Sequence, residues 1–211
     1  VLGRVFVAPL GFHEDFILRS LVKFKATSSD IVYVVTCSPV IGAVKRAFDS
    51  LVAMTSRHGF PQPLLVELDC SNFYSSTRRL REVLVKHLDD AVIFCAGGGL
   101  RILTLVVPIA LVSLKKPFTL HYEPEGSIGE FTVESKFFHN IFEDLNEAER
   151  KVLRIVTSNP GVSVGEIAKA LSVKEKTVRN IVTRLKKRGL VVKKGRREGV
   201  EPTEIAQALF S

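Results

Sequence analysis

Gly97, Gly98 and Gly99 stand in a row, with Leu100 and Arg101 directly after them. The run follows a short apolar stretch at 91–94 and precedes a longer one at 102–112. Glycine has no Cβ to hold a ligand away from the main chain. A helix starting at about Leu100 would aim its unpaired N–H groups and positive dipole end into the space the glycines leave. Arg101 adds a fixed cation in that first turn, where a cation is mildly unfavourable unless an anion lies near. These residue types can hold a phosphate through main-chain donors. The alternative is a tight strand-to-helix turn whose glycines serve only close packing.

Such a turn needs elements to place it. Short apolar runs at 4–8, 31–36, 64–68, 91–95 and 118–122 read as strands buried on both faces. Helical patterns lie between them at about 14–25, 40–57, 73–88 and 100–114. Repeated β–α units of this kind predict a Rossmann-like, doubly wound, mostly parallel α/β sheet. With strand order 3-2-1-4-5, the first and fourth strands are neighbours, and ligands bind beyond their carboxyl ends. The crevice residues are then Pro9, Leu10, Gly11, Phe12 and His13 from one loop and Gly97, Gly98, Gly99, Leu100 and Arg101 from the other. Ser38 and Pro39, after the second strand, join them at the side.

The chemistry absent from the sequence narrows the ligand. The first loop lacks GxGxxG, and there is no GxxxxGK[ST], HExxH or GxSxG. Glu67 and Asp69 alternate along a strand and read as solvated or capping groups rather than an acid/base pair. No histidine has ligand spacing, and only His13 falls in the crevice. No metal and no resident cofactor are expected. Cys37, Cys70 and Cys95 form no CxxC pair, and their odd number argues against a disulfide framework. All three read as small buried hydrophobes at strand ends.

Charge divides the chain. Residues 145–211 hold 15 Lys and Arg against 7 Asp and Glu, while residues 1–144 hold 15 against 15. The whole net charge of +8 therefore lies in the last third. A neutral domain joined to one that binds a polyanion is expected. At 211 residues, 46% hydrophobic and 25% charged, the composition is that of an ordinary globular protein. No apolar run reaches a membrane span and the start does not resemble a signal peptide, so no membrane association and a cytoplasmic location are expected.

The last third carries helix signals. Asn146 with Glu149, Ser163 with Glu166 and Ser172 with Glu175 have capping-box spacing, predicting helices at 147–157, 164–171 and 174–188. The last buries Val178, Ile181, Val182 and Leu185 and ends at Gly189. The short connection to it is that of a helix-turn-helix. Lys174, Lys176, Thr177, Asn180, Thr183, Arg184 and Lys187 then present groups suited to a major groove. Lys193, Lys194, Arg196 and Arg197 lie between two short apolar stretches and read as a basic wing gripping phosphates. Double-stranded DNA is the expected partner. The domains read as 1–134 for ligand sensing, 135–145 as a linker with an aromatic cluster, and 146–211 for DNA.

In combination, Pro9-Leu10-Gly11-Phe12-His13-Glu14, Gly97-Gly98-Gly99-Leu100-Arg101 and the C-terminal winged helix carry a family resemblance. The chain resembles the CRISPR-associated Rossmann fold (CARF) transcription regulators of archaeal type I-A systems. That resemblance implies a homodimer that senses cyclic oligoadenylate, a small nucleotide second messenger. Cyclic tetra-adenylate is the expected ring, and promoter or leader sites with palindromic symmetry the expected DNA. It implies regulation of CRISPR loci or spacer-acquisition genes in antiviral defence. Some relatives cleave the ring with help from a lysine near the second motif. Arg101 stands there instead, and arginine cannot act as a base, so a sensor rather than an enzyme is expected. A ring nuclease, or a regulator sensing another anionic metabolite, is the alternative.

Overall fold

The computed structural model describes residues 3–87, 89–124, 129–193 and 199–210, and it divides into two compact units, Val1–Ser135 and Lys136–Ser211. In the first unit the strands are β1 (Arg4–Pro9), β2 (Ile31–Cys37), β3 (Pro63–Leu68), β4 (Ala91–Ala96), β5 (Phe118–Tyr122) and β6 (Phe131–Glu134). Between them run α1 (Asp15–Lys23), α2 (Gly42–His58), α3 (Phe73–Leu84) and α4 (Leu103–Ser113). The sheet order is β3-β2-β1-β4-β5-β6, parallel except for β6, which runs antiparallel to β5. The predicted 3-2-1-4-5 order is present, so the reversal of direction falls between β1 and β4.

Why the central strands read as continuous apolar runs is visible in their burial. Val5, Phe6, Val7 and Ala8 of β1 and Val32, Val34 and Val35 of β2 are wholly buried, since helices cover both faces. α4 (LTLVVPIALVS) is apolar on every side; Leu103, Val106, Val107, Ala110 and Leu111 are buried while Leu105 is 59% exposed. α3 is shorter than its pattern suggests, because the chain tightens into a 3₁₀ turn at Val85–His87.

The cysteine expectation fails. Cys37 and Cys70 form a disulfide with Cα atoms 5.4 Å apart. The β2–β3 register pairs Cys37 with Leu68, which brings the residue two beyond Leu68 alongside. Closing a loop across a separation of 33 residues stabilises the fold by roughly 3–4 kcal/mol in the chain-entropy account. Only Cys95 fits the earlier description: it is buried, and burial pushes its thiol up to about 12.

The second unit holds α5 (Ser135–Phe142, shared at its first residue with the boundary), α6 (Glu147–Ser158), α7 (Val164–Leu171) and α8 (Glu175–Lys187). β7 (Val191–Lys193), β8 (Val200–Pro202) and α9 (Glu204–Phe210) follow. One core collects Val152, Leu153 and Val156 of α6, Ile167 of α7, Val178, Ile181 and Leu185 of α8, Leu190, Val200 and Ala206. The capping boxes at Asn146/Glu149 and Ser163/Glu166 are formed. The third is not. Ser172 is the left-handed residue closing α7, at φ 52°, and Lys174 precedes α8 without a side-chain cap. A two-residue turn cannot give Ser172 both roles. α9 was not anticipated; Thr203 starts it, its Oγ1 accepting from the Ala206 amide at 3.3 Å.

Candidate functional site

The β1 and β4 loops meet main chain to main chain. A Cβ on Gly11 would lie 3.1 Å from Gly99 Cα, and one on Gly99 only 2.5 Å from Pro9 Cβ. Gly99 also has φ +92°, a region L side chains rarely adopt. Gly97 and Gly98 face Phe16: added Cβ atoms would come within 3.0 Å of its ring, and within 2.7 Å of Glu123 O at Gly97. The glycines therefore do serve close packing. That packing brings Pro9 and Gly11 against Gly99 at the sheet's carboxyl edge.

The same loop also carries free donors. Among the described residues, the main-chain N–H groups of Gly97, Gly98, Gly99, Leu100, Arg101 and Ile102 donate no hydrogen bond. The helix starts later than expected, at Leu103, because Leu103 N bonds Leu100 O at 2.9 Å and Thr104 N bonds Arg101 O at 3.2 Å. The turn thus uses up the donors of the first helical residues. The free ones belong to the loop, a run of consecutive N–H groups of the kind that makes an anion-binding nest. Arg101 is exposed and makes no ion pair among the described residues.

The remaining crevice residues fall into place around this loop. Leu10 is wholly buried and its amide bonds Val35 O at 2.8 Å, which pins the first loop to β2. Phe12 is 56% exposed and His13 is exposed beside it. Ser38 and Pro39 are exposed at the end of β2, on the far side of β1 from β4, across a cis peptide. Sequence reasoning missed the residues behind the glycines. Arg19 lies over the Phe16 ring at 4.7 Å and its Nε meets Glu123 Oε1 at 2.7 Å. Consecutive glycines announce a bulky neighbour but not which one.

His121 of β5 is 1% exposed; among the described residues neither ring nitrogen has a hydrogen-bond partner, and Nε2 stands 3.6 Å from Glu130 Oε2. Burial, and then Lys23, hold its pKa below the ordinary value, against the pull of Glu130 and Glu123. Lys23 itself pairs with Glu130. No cluster of His, Cys, Asp and Glu that could hold a metal occurs among the described residues.

In the second unit, α8 shows one apolar and one polar face. At 3.6 residues per turn, Lys176, Asn180, Thr183 and Lys187 lie opposite the buried Val178, Ile181, Val182 and Leu185, and all four are exposed. Lys174 and Thr177 are exposed toward its start. Thr183 Oγ1 donates back to Arg179 O at 2.8 Å. Arg184 is occupied: its Nε donates to Glu149 Oε1 at 2.8 Å, and Glu149 is only 6% exposed. Arg188 stands 4.0 Å from the same carboxylate and also donates to Asn140 Oδ1 at 2.9 Å. Arg184 thus ties α8 to α6. Arg179, exposed and paired with Glu175 at 2.7 Å, was missed as a further cation on α8.

The hairpin β7–β8 is paired Val191 to Pro202 through Lys193 to Val200, and Val162 bridges Val200 to widen it. Lys193 is exposed at its end. The other proposed wing contacts, Lys194, Arg196 and Arg197, lie outside the described residues.

Residues 4–134 match the Csa3 CRISPR-associated Rossmann-like domain. The chain belongs to the Csa3 family. Residues 145–192 match the winged helix-turn-helix DNA-binding family. The CRISPR locus-related protein Csa3 of Saccharolobus solfataricus is 26% identical over 203 residues, covering 96% of this chain and 85% of that protein. Among solved structures, Can2 of Sulfobacillus thermosulfidooxidans in complex with cyclic tetra-adenylate is 12% identical, with a TM-score of 0.48 over 97% of this chain and 62% of that one. Csm6 of Enterococcus italicus, bound to a fluorinated cyclic hexa-adenylate analogue, is 10% identical with a TM-score of 0.48, covering 90% and 52%. Likeness at that level carries no functional inference. As a Csa3-family member the chain joins a CARF domain to a winged helix, and none of its described helices is long and apolar enough to cross a membrane.

Proposed function

We propose that this Csa3-family chain is a homodimeric DNA-binding transcription regulator of CRISPR genes whose CARF crevice senses cyclic oligoadenylate, with cyclic tetra-adenylate as the ring. The observation that carries the reading is the run of six unengaged N–H groups from Gly97 to Ile102, with Arg101 unpaired among the described residues. Consecutive main-chain donors suit the phosphodiesters of such a ring, and the exposed Phe12 offers a face on which a base can stack.

Dimerisation is supported by α4. Its exposed Leu105, with half-buried Pro108, Ile109 and Val112, leaves an apolar side directly after the donor loop. A second copy on that face would bring two donor loops together about a twofold axis, which rings of four or six adenylates can match and rings of three or five cannot. A dimer would likewise place two α8 helices on palindromic DNA.

Sensing without cleavage is the expected mode. The loop supplies donors and an arginine that stays protonated, and neither can take a proton from a ribose hydroxyl. Incubation with the ring followed by chromatography tests this: intact ring supports a sensor, and linear products would make the protein a nuclease. Titration with rings of different size tests the ligand. Bound ring at ~100 times its dissociation constant adds about 2.7 kcal/mol of stability, a readily measured thermal shift. No shift with any ring would sink the reading.

A further inference from the structure

We propose that the Cys37–Cys70 disulfide is a redox clamp on the crevice: while closed it fixes residues 38–41, and its reduction by a dithiol loosens them and weakens ligand binding. The proposal rests on the crevice being the ligand site. The bridge joins the carboxyl ends of β2 and β3, the edge at which the β1 and β4 loops also meet. Only Thr36 separates Val35 from Cys37 of the bridge, and Val35 O is the acceptor that holds the Leu10 amide of the crevice loop.

The two sides of the bridge are held very differently. On the Cys70 side, Asp69 Oδ1 accepts from the Ser71 amide at 3.1 Å and from its hydroxyl at 2.6 Å, while Ser76 Oγ donates to Asp69 O at 2.6 Å. Asn72 then caps α3 by accepting from the Ser75 amide at 3.0 Å. That side stays in place without the disulfide. On the Cys37 side, the Ser38 amide bonds Leu68 O at 2.8 Å, Pro39 has no N–H, and Ile41 precedes α2 without a side-chain cap. Among the described residues, no side chain from 38 to 41 makes a hydrogen bond. Opening the bridge therefore releases the crevice side and spares α3. Cys37 and Cys70 are both half-buried, so a small thiol can reach them, whereas the buried Cys95 stays out of the exchange.

The step is thiol–disulfide exchange. A thiolate of the dithiol attacks one cysteine sulfur, the S–S bond breaks, and a mixed disulfide forms. The dithiol's second thiol then displaces the other cysteine. Two electrons and two protons pass to Cys37 and Cys70, which end as thiols, and the dithiol ends as its own disulfide.

The experiment uses the full chain, oxidised, treated with dithiothreitol, and as the Cys37→Ser/Cys70→Ser double variant. Titration with cyclic tetra-adenylate is read beside hydrogen exchange of residues 38–41. The expected result is affinity about tenfold weaker on reduction, through lost preorganisation. Exchange should speed up at 38–41 while residues 71–76 stay unchanged. The double variant should match the reduced protein with or without dithiothreitol. Equal affinity in the oxidised and reduced protein overturns the clamp and leaves the ligand reading intact. If neither form binds cyclic tetra-adenylate, the reading of that ring as ligand falls, and the exchange data then decide whether the bridge holds this loop. Alkylation of Cys37 and Cys70 in the unreduced protein would overturn the proposal at its base.

Discussion

In the N-terminal unit the crevice offers main-chain N–H groups and the space of absent Cβ atoms. In the C-terminal unit, α8 offers long side chains on a rigid cylinder. The first site exists only because two distant loops touch, Gly11 against Gly99. The second is nearly complete within thirteen residues. A site made of backbone depends on the fold for its geometry, so changes to it damage stability and binding together. A site made of exposed side chains can be stripped while the fold stands.

The largest expected effect is Gly99→Val. The position combines φ +92° with a Cβ contact of 2.5 Å to Pro9, and strain plus overpacking should cost about 3 kcal/mol or more. Gly59→Ala is the matching control: φ is +70° but no atom lies within 4 Å of the new Cβ, so only about 1–2 kcal/mol is expected. Thermal melts of the two measure how much of the loop is packing rather than backbone conformation. Equal losses would contradict the close approach of the two loops.

On the other site, the triple variant Lys176→Ala/Asn180→Ala/Lys187→Ala should weaken DNA binding about a hundredfold. It should lower the salt slope by about 1 per lysine while stability moves by about 0.5 kcal/mol or less. Arg184→Ala should behave differently. It removes a bond to the buried Glu149 and should cost about 1–2 kcal/mol of stability before DNA is added. A gel-shift series beside denaturant melts separates the two classes, and an Arg184 variant of unchanged stability would return that residue to the groove.

These contrasts explain what the sequence made legible. Parallel strands buried on both faces are written as apolar runs, and α8 as a regular stripe, so the strands and the DNA helix could be read directly, while the sheet order had to be assumed from the Rossmann pattern. Gly97 to Arg101 could be read as a turn or a cradle; Phe16 and Pro9 pack against its glycines, and among the described residues its N–H groups find no acceptor. What stayed hidden depends on long-range register. Cys37 and Cys70 are 33 residues apart and meet only because β2 pairs with β3 in one alignment. The Arg184–Glu149 pair was hidden too, because the two residues stand 35 positions apart. Ser172 had the spacing of a cap, but the short turn used it as a left-handed stop.

The smallest effect predicted is on pH. Burial holds His121 below its ordinary value of 6.5, so the unfolded chain takes up the proton first as pH falls. Its contribution to stability is whole above that value, falls as pH drops through it, and is gone below the folded-state pKa. Between about pH 7.5 and about pH 5, melting temperature should fall more for the native chain than for His121→Leu. Parallel curves would mean that His121 takes up its proton equally in the folded and the unfolded chain, which contradicts the burial effect.

The central claim is that the donor loop holds a ring of adenylates between two copies of the chain. Calorimetric titration of cyclic tetra-adenylate into the native protein and Arg101→Ala tests it most directly. The expected result is one ring per two chains and, for Arg101→Ala, affinity at least about tenfold weaker with an unchanged melting temperature. One ring per single chain, or an Arg101→Ala protein that binds as tightly as the native one, would contradict it.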